Sequence, residues 1–172
     1  MPRSCSLFFD VKKGFTLIEL IVVLSVIGFV TAMAAPALQN LPNTRAVYAI
    51  RKLRSDVRYI QLLAIHSQTR TRVVFDTGAD TYSLERETSP GTWAVVTNPA
   101  TTASYQETFN AGDYEGVDLT AAVFNATSSV IFNTLGAPFD GGGTAITEPA
   151  YAELNVLYRL NFRADTGKVD IT

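Results

Sequence analysis

Lys12-Lys13-Gly14-Phe15-Thr16-Leu17-Ile18-Glu19 runs straight into Leu20-Ile21-Val22-Val23-Leu24-Ser25-Val26-Ile27-Gly28-Phe29-Val30. From Phe15 to Leu38 the only charged residue is Glu19. As a helix this stretch measures about 36 Å at 1.5 Å per residue, enough to cross a hydrocarbon core of about 30 Å. Lys12 and Lys13 would stay cytoplasmic by the positive-inside bias, which turns the rest of the chain outward.

Glu19 is out of place in such a segment. An ionised carboxylate in a membrane helix costs on the order of 2.5–3.5 kcal/mol, so acids there usually have a partner and a function. A cut after Gly14 would create an α-amine with a pKa of about 7.7–8.0, four residues upstream of Glu19. That amine, on the same chain or on a neighbour, is a suitable counter-charge in a packed helical bundle. The alternative is an acid that simply snorkels to the interface.

Gly14-Phe15-Thr16-Leu17-Ile18-Glu19 resembles the prepilin cleavage and methylation motif of type IV pilins and type II secretion pseudopilins. The resemblance implies that a membrane aspartyl peptidase cuts between Gly14 and Phe15 and that Phe15 is then N-methylated. It makes Glu19, five residues into the mature chain, the assembly residue. Gly28 and Pro36 match helix positions that the family uses, with Pro36 as a helix kink. The implied partners are other pilin or pseudopilin subunits, the prepilin peptidase/N-methyltransferase, an inner-membrane assembly platform, and lipid before assembly. The implied location is the bacterial cytoplasmic membrane as a single-pass protein, followed by a filament.

An ordinary signal peptide is the competing reading, since Ala32-Met33-Ala34 is an A-x-A pattern after an apolar run. The run is longer than the usual h-region of about 7–15 residues, and it contains Glu19. Both features favour the prepilin reading.

The chain then divides into a leader (1–14), a transmembrane and assembly helix (15–38) and a globular region (39–172). The whole has 172 residues, 47% of them apolar and 17% charged, which suits one modest domain with an appendage. Its formal charge of −2 conceals a basic leader, and the remainder carries 11 basic against 15 acidic residues. A mildly acidic body argues against a dedicated nucleic-acid binder. The only cysteine, Cys5, lies in the leader, so the mature protein would hold its fold without a disulfide.

Pro36 and Pro42 each remove a backbone N–H and are expected to interrupt the helical stretch. Beyond them Val47, Ile50, Leu53, Val57, Ile60 and Ala64 advance by three or four, an amphipathic helix ending near Gln68. Its polar face carries Arg45, Arg51, Lys52, Arg54 and Arg58 against a single Asp56. Strands follow at Thr71–Phe75, Thr81–Arg86, Thr92–Thr97, Ser129–Asn133, Leu154–Phe162 and Lys168–Ile171, with turn signals at Gly78 and Gly167. The segments 98–104 and 136–149 read as loops, the second Gly-rich and flexible. The expected fold is α+β and pilin-like: a long N-terminal helix, transmembrane in its first half and amphipathic in its second, packed on an antiparallel sheet. A helix followed only by strands also resembles the GspH/FimT-like minor pseudopilins and minor pilins.

The residues offer no enzymatic chemistry. His66, the sole histidine, has no nucleophile motif around it and sits where a helix end is expected. Asp113, Glu115 and Asp118 are weak candidates for a hard cation, but their spacing matches no EF-hand. Gly141-Gly142-Gly143 lacks the Lys and Ser/Thr of a phosphate loop. No cofactor or metal is expected. The family implies one alternative function, a DNA-uptake minor pilin, since some FimT-type proteins bind DNA through a basic C-terminal region. Here Asp165 and Asp170 cancel Arg163 and Lys168, which disfavours DNA as a partner. The reading is a structural subunit of a type II secretion pseudopilus or type IV pilus, involved in secretion or pilus assembly.

Overall fold

A computed structural model describes residues 15–39 and 41–172, with side-chain surroundings for 15–33 and 43–172. The chain divides into two compact units at Asn40/Leu41.

The first unit contains α1, Leu17–Gln39. Thr16 opens it, its Oγ1 accepting the Glu19 N–H at 3.3 Å, which satisfies one of the donors a helix start leaves orphaned. The helix is rich in β-branched residues that would suit a strand in water. A helix, however, satisfies its own backbone, and this is decisive where no water is at hand. α1 runs through Pro36 to Gln39, so no helix end falls at Pro36; the Pro36 side chain lies outside the described residues.

The second unit opens with α2, Leu41–Ser67. Pro42 is its second residue. The break between α1 and α2 falls just before it, and Pro42 suits a first turn, where an N–H has no intrahelical acceptor and its loss costs nothing. Ala49, Leu53, Val57, Ile60 and Ala64 form the buried stripe.

The strands make two antiparallel sheets rather than the single one expected. The first comprises β1 (Thr71–Asp76), β2 (Thr81–Ser89), β3 (Thr92–Val95), β4 (Gln106–Thr108), β6 (Ser129–Phe132) and β7 (Pro138–Asp140), in the order β3-β2-β1-β6-β7 with β4 also on β2. The second comprises β5 (Leu119–Val123), β8 (Tyr151–Leu154), β9 (Tyr158–Phe162) and β10 (Val169–Ile171), in the order β10-β9-β8-β5. Aromatic rings tie the sheets together. Phe124 stacks on Phe75 of the first sheet at 5.5 Å and meets Phe162 of the second edge-on at 4.9 Å. Gln61 of α2 adds a polar clamp, donating Nε2 hydrogen bonds to Gly136 O (2.8 Å) and Thr166 O (3.0 Å), one in the turn after β6 and one in the turn before β10. Gly167 has φ +65°, and a Cβ there would meet Gln61 Nε2 at 2.8 Å, so glycine is required by both conformation and space.

Three further expectations are corrected. Leu154–Phe162 is two strands, because Asn155 and Val156 adopt φ of 53° and 59° and turn the chain back. The Gly-rich segment contains β7, and Asp140 orders the turn after it: its carboxylate accepts N–H bonds from Gly142 and Thr144, both at 2.9 Å. The Asn125 amide, which donates to the same carboxylate at 2.9 Å, and then these N–H groups hold the Asp140 carboxyl below its ordinary pKa. Finally, Asp56 is buried, not part of the solvated face of α2.

Candidate functional site

Thr16-Leu17-Ile18-Glu19 places a hydroxyl at the helix start and an acid in the first turn. The hydroxyl caps the Glu19 N–H, and the Glu19 charge complements the positive end of the helix dipole. This Thr-x-x-Glu capping signature went unread in the sequence although its spacing was visible. Among the described residues the Glu19 carboxylate itself has no ion-pair or hydrogen-bond partner. Phe15 is 80% exposed. Gly14, the other half of the expected cleavage site, lies outside the described residues.

On both sides of Glu19 the helix carries apolar side chains all round, from Leu17, Ile18, Leu20 and Ile21 to Phe29 and Val30, all of them exposed. Its hydroxyls are satisfied within the helix. Ser25 Oγ donates to Ile21 O and Thr31 Oγ1 to Ile27 O, each at 2.7 Å, so neither needs water. Gly28 has open space where a Cβ would be. A helix apolar all round requires a cover of lipid or other helices. Among the described residues no helix is long and apolar enough to cross a membrane. The described side chains of α1, Leu17–Met33, span about 26 Å.

The acidic residues of 113–118 do not converge. Asp113 lies in a 3₁₀ turn, Gly112–Tyr114. Glu115 faces Arg45, whose Nη1 is 3.7 Å from its carboxylate and donates to its carbonyl at 2.9 Å. Asp118 is exposed. Among the described residues no group of three or more His, Cys, Asp or Glu side chains is placed to hold a metal ion. His66 is exposed in the last turn of α2.

The polar centre that sequence reasoning missed is around Asp56. Tyr82 and Tyr105 donate hydroxyls to its two oxygens at 2.6 and 2.9 Å, and Lys52 Nζ donates at 2.6 Å. Glu107 lies 3.1 Å from the same ammonium. Burial, then the Asp56 charge, raise the Tyr82 hydroxyl far above its ordinary pKa. Burial pulls Lys52 down, but hydrogen bonds and charge from Asp56 and Glu107 outweigh it and hold the ammonium above its ordinary value. The available signal was spacing. Asp56 stands three residues after Leu53 and four before Ile60, inside the apolar stripe. Each carboxylate oxygen is occupied by the protein's own donors, so this is a structural knot between α2 and the first sheet.

Residues 10–35 match the family model of the prokaryotic N-terminal methylation motif. Among solved structures, the minor pseudopilin EpsH from the type 2 secretion system of Vibrio cholerae is similar, with a TM-score of 0.50 over 74% of this chain and 96% of that one. At 16% identity the likeness is one of fold. No curated protein sequence matches the chain. The N-terminal stretch thus carries a methylation motif, and the fold is similar to that of a minor pseudopilin.

Proposed function

We propose that the chain is a structural filament subunit, of the minor pseudopilin or minor pilin kind, and not an enzyme. It is made as a precursor in the cytoplasmic membrane with its globular unit outside. The prepilin peptidase cuts it between Gly14 and Phe15 and methylates the new Phe15 amine. On the assembly platform, α1 then moves from lipid into a bundle of equivalent helices.

One observation carries this reading: α1 is apolar on every side, bonds its own hydroxyls, and retains a single unpaired carboxylate in its first turn. Lipid covers the apolar surface but leaves Glu19 without a counter-charge. A bundle covers the same surface and supplies an N-terminal amine. Register follows from that pairing, since a misplaced subunit leaves a buried charge alone at a cost of about 3–5 kcal/mol. DNA uptake gains no support from the C-terminal segment, where Lys168 lies 3.1 Å and Arg54 3.7 Å from Asp170.

Gly14→Val tests the processing step. Glycine leaves the scissile backbone bare for close approach by a peptidase cleft, and a branched side chain blocks that approach. The variant should accumulate in the membrane at precursor mass, while wild type is found cut. A Gly14→Val chain processed like wild type would contradict cleavage at this bond.

A further inference from the structure

Along one side of α2, between the helix and strands β9 and β10, runs an open cleft of about 570 Å³. Arg51, Arg54 and Arg58 line it, with Tyr158 and Ile171 as its apolar wall. Among the described residues Arg51 and Arg58 have no partner. Arg54 reaches Asp170 only at 3.7 Å, an acid already held by Lys168 at 3.1 Å. The Nε of Arg54 is buried without a hydrogen-bond partner. Three guanidiniums beside an apolar wall suit planar carboxylates, which the guanidinium fork matches in two bonds through its exposed nitrogens.

The molecule carries such carboxylates on the other side of the same helix. Arg45, which touches Glu115, and Arg54, which lines the cleft, are about two and a half turns apart at 3.6 residues per turn, so they point in opposite directions. The 3₁₀ turn Gly112–Tyr114 holds Asp113 outward, and Asp118 is likewise exposed. Basic cleft and acidic loop therefore occupy opposite flanks of one globular unit. Two different complementary patches, facing apart, give a head-to-tail contact that repeats without closing.

We propose that the Arg51–Arg54–Arg58 cleft receives the acidic loop Asp113–Asp118 of a second copy of the chain. The inference rests on the filament reading and adds a lateral contact between globular units. It puts at least two copies side by side, so the subunit runs in tracts instead of standing singly. Nucleic acid is the less suited occupant. The body is acidic overall, which repels a long phosphate chain more than one short loop.

Disulfide cross-linking of the full chain in its native membrane tests this. In a Cys5→Ser background, Ser55→Cys at the cleft and Ala111→Cys beside the loop should together give oxidised ladders, and neither alone should. Arg51→Glu with Arg58→Glu should cut the ladder yield by about tenfold or more, since like charges at a contact repel. Adding Asp113→Arg and Asp118→Arg should restore it. Val22→Cys with Val30→Cys, along α1, serves as the filament control. If the α1 pair cross-links and the cleft pair does not, the inference falls and the filament reading stands. If neither pair cross-links, the inference falls, and the N-terminal residue of the membrane-bound chain decides the filament reading by itself. Ladders unchanged by charge reversal, or not restored by the reciprocal reversal, would overturn the pairing. So would a DNA duplex that binds wild type and is lost with Arg51→Glu and Arg58→Glu while the ladders persist.

Discussion

Glu19→Gln is expected to be inserted and cut like wild type, and to lower the ratio of filament-associated to membrane-associated subunit by at least about tenfold. Insertion should be no worse, because the substitution removes a charge that costs on the order of 2.5–3.5 kcal/mol in the membrane. Cleavage should persist, because Glu19 lies beyond the Gly14–Phe15 bond. The loss falls on assembly, where an amine buried in the bundle would have no counter-charge. A penalty of about 3–5 kcal/mol is more than a hundredfold in an equilibrium constant. Glutamine keeps the shape and hydrogen-bonding capacity of the side chain, which separates charge pairing from packing and from the capping role of the Thr16 hydroxyl. Glu19→Ala should behave alike. Recovery of both variants in filaments at the wild-type ratio, with processing followed in parallel, would remove Glu19 from the assembly mechanism.

Asp56→Ala is expected to destabilise the globular unit by about 3 kcal/mol, a large part of the 5–15 kcal/mol that holds a typical domain together. The substitution leaves the buried Tyr82 hydroxyl without an acceptor and deprives Tyr105 and Lys52 of theirs. A buried unsatisfied donor costs about 1–3 kcal/mol. Lys52 is one-third exposed and retains Glu107, so its share is small. Asp56→Asn should cost less, since an amide oxygen still accepts from one tyrosine. Thermal unfolding of the detergent-solubilised chain reads the difference, and an Asp56→Ala midpoint within a degree of wild type would refute the structural role. The pH dependence has a definite sign. The Lys52 pKa is raised by its partners, so its contribution is complete below the unfolded-chain value of about 10.4 and is lost only as pH rises through the higher folded value. Neutral pH should leave this knot intact.

The parts of the fold that the sequence revealed are those with a strong local period. α2 shows its core stripe at three- and four-residue steps, and β1 and β2 alternate around a Gly-containing turn. Short strands inside polar or glycine-rich segments gave no such period. β4 has three residues after a run of Thr, Ala and Ser, and β7 has three between Gly136 and the Gly141–Gly143 run. The second sheet escaped notice for a related reason. Leu154–Phe162 has continuous β-propensity, and the turn at Asn155 and Val156 depends on positive φ at a valine, where no propensity rule would put it. A charged residue within a helix reads as solvated, and the partners that bury Asp56 lie far along the chain: Tyr82 in β2 and Tyr105 just before β4. The N-terminal methylation motif was legible because its residues are contiguous in sequence.

The most direct test of the account is the N-terminal residue of the protein as it exists in its native membrane. Intact-mass and N-terminal peptide analysis should find a chain beginning at Phe15 and carrying one added methyl group. A chain beginning at Ala35 or Pro36 would mean release by an ordinary signal peptidase, with α1 discarded and no filament helix left to assemble.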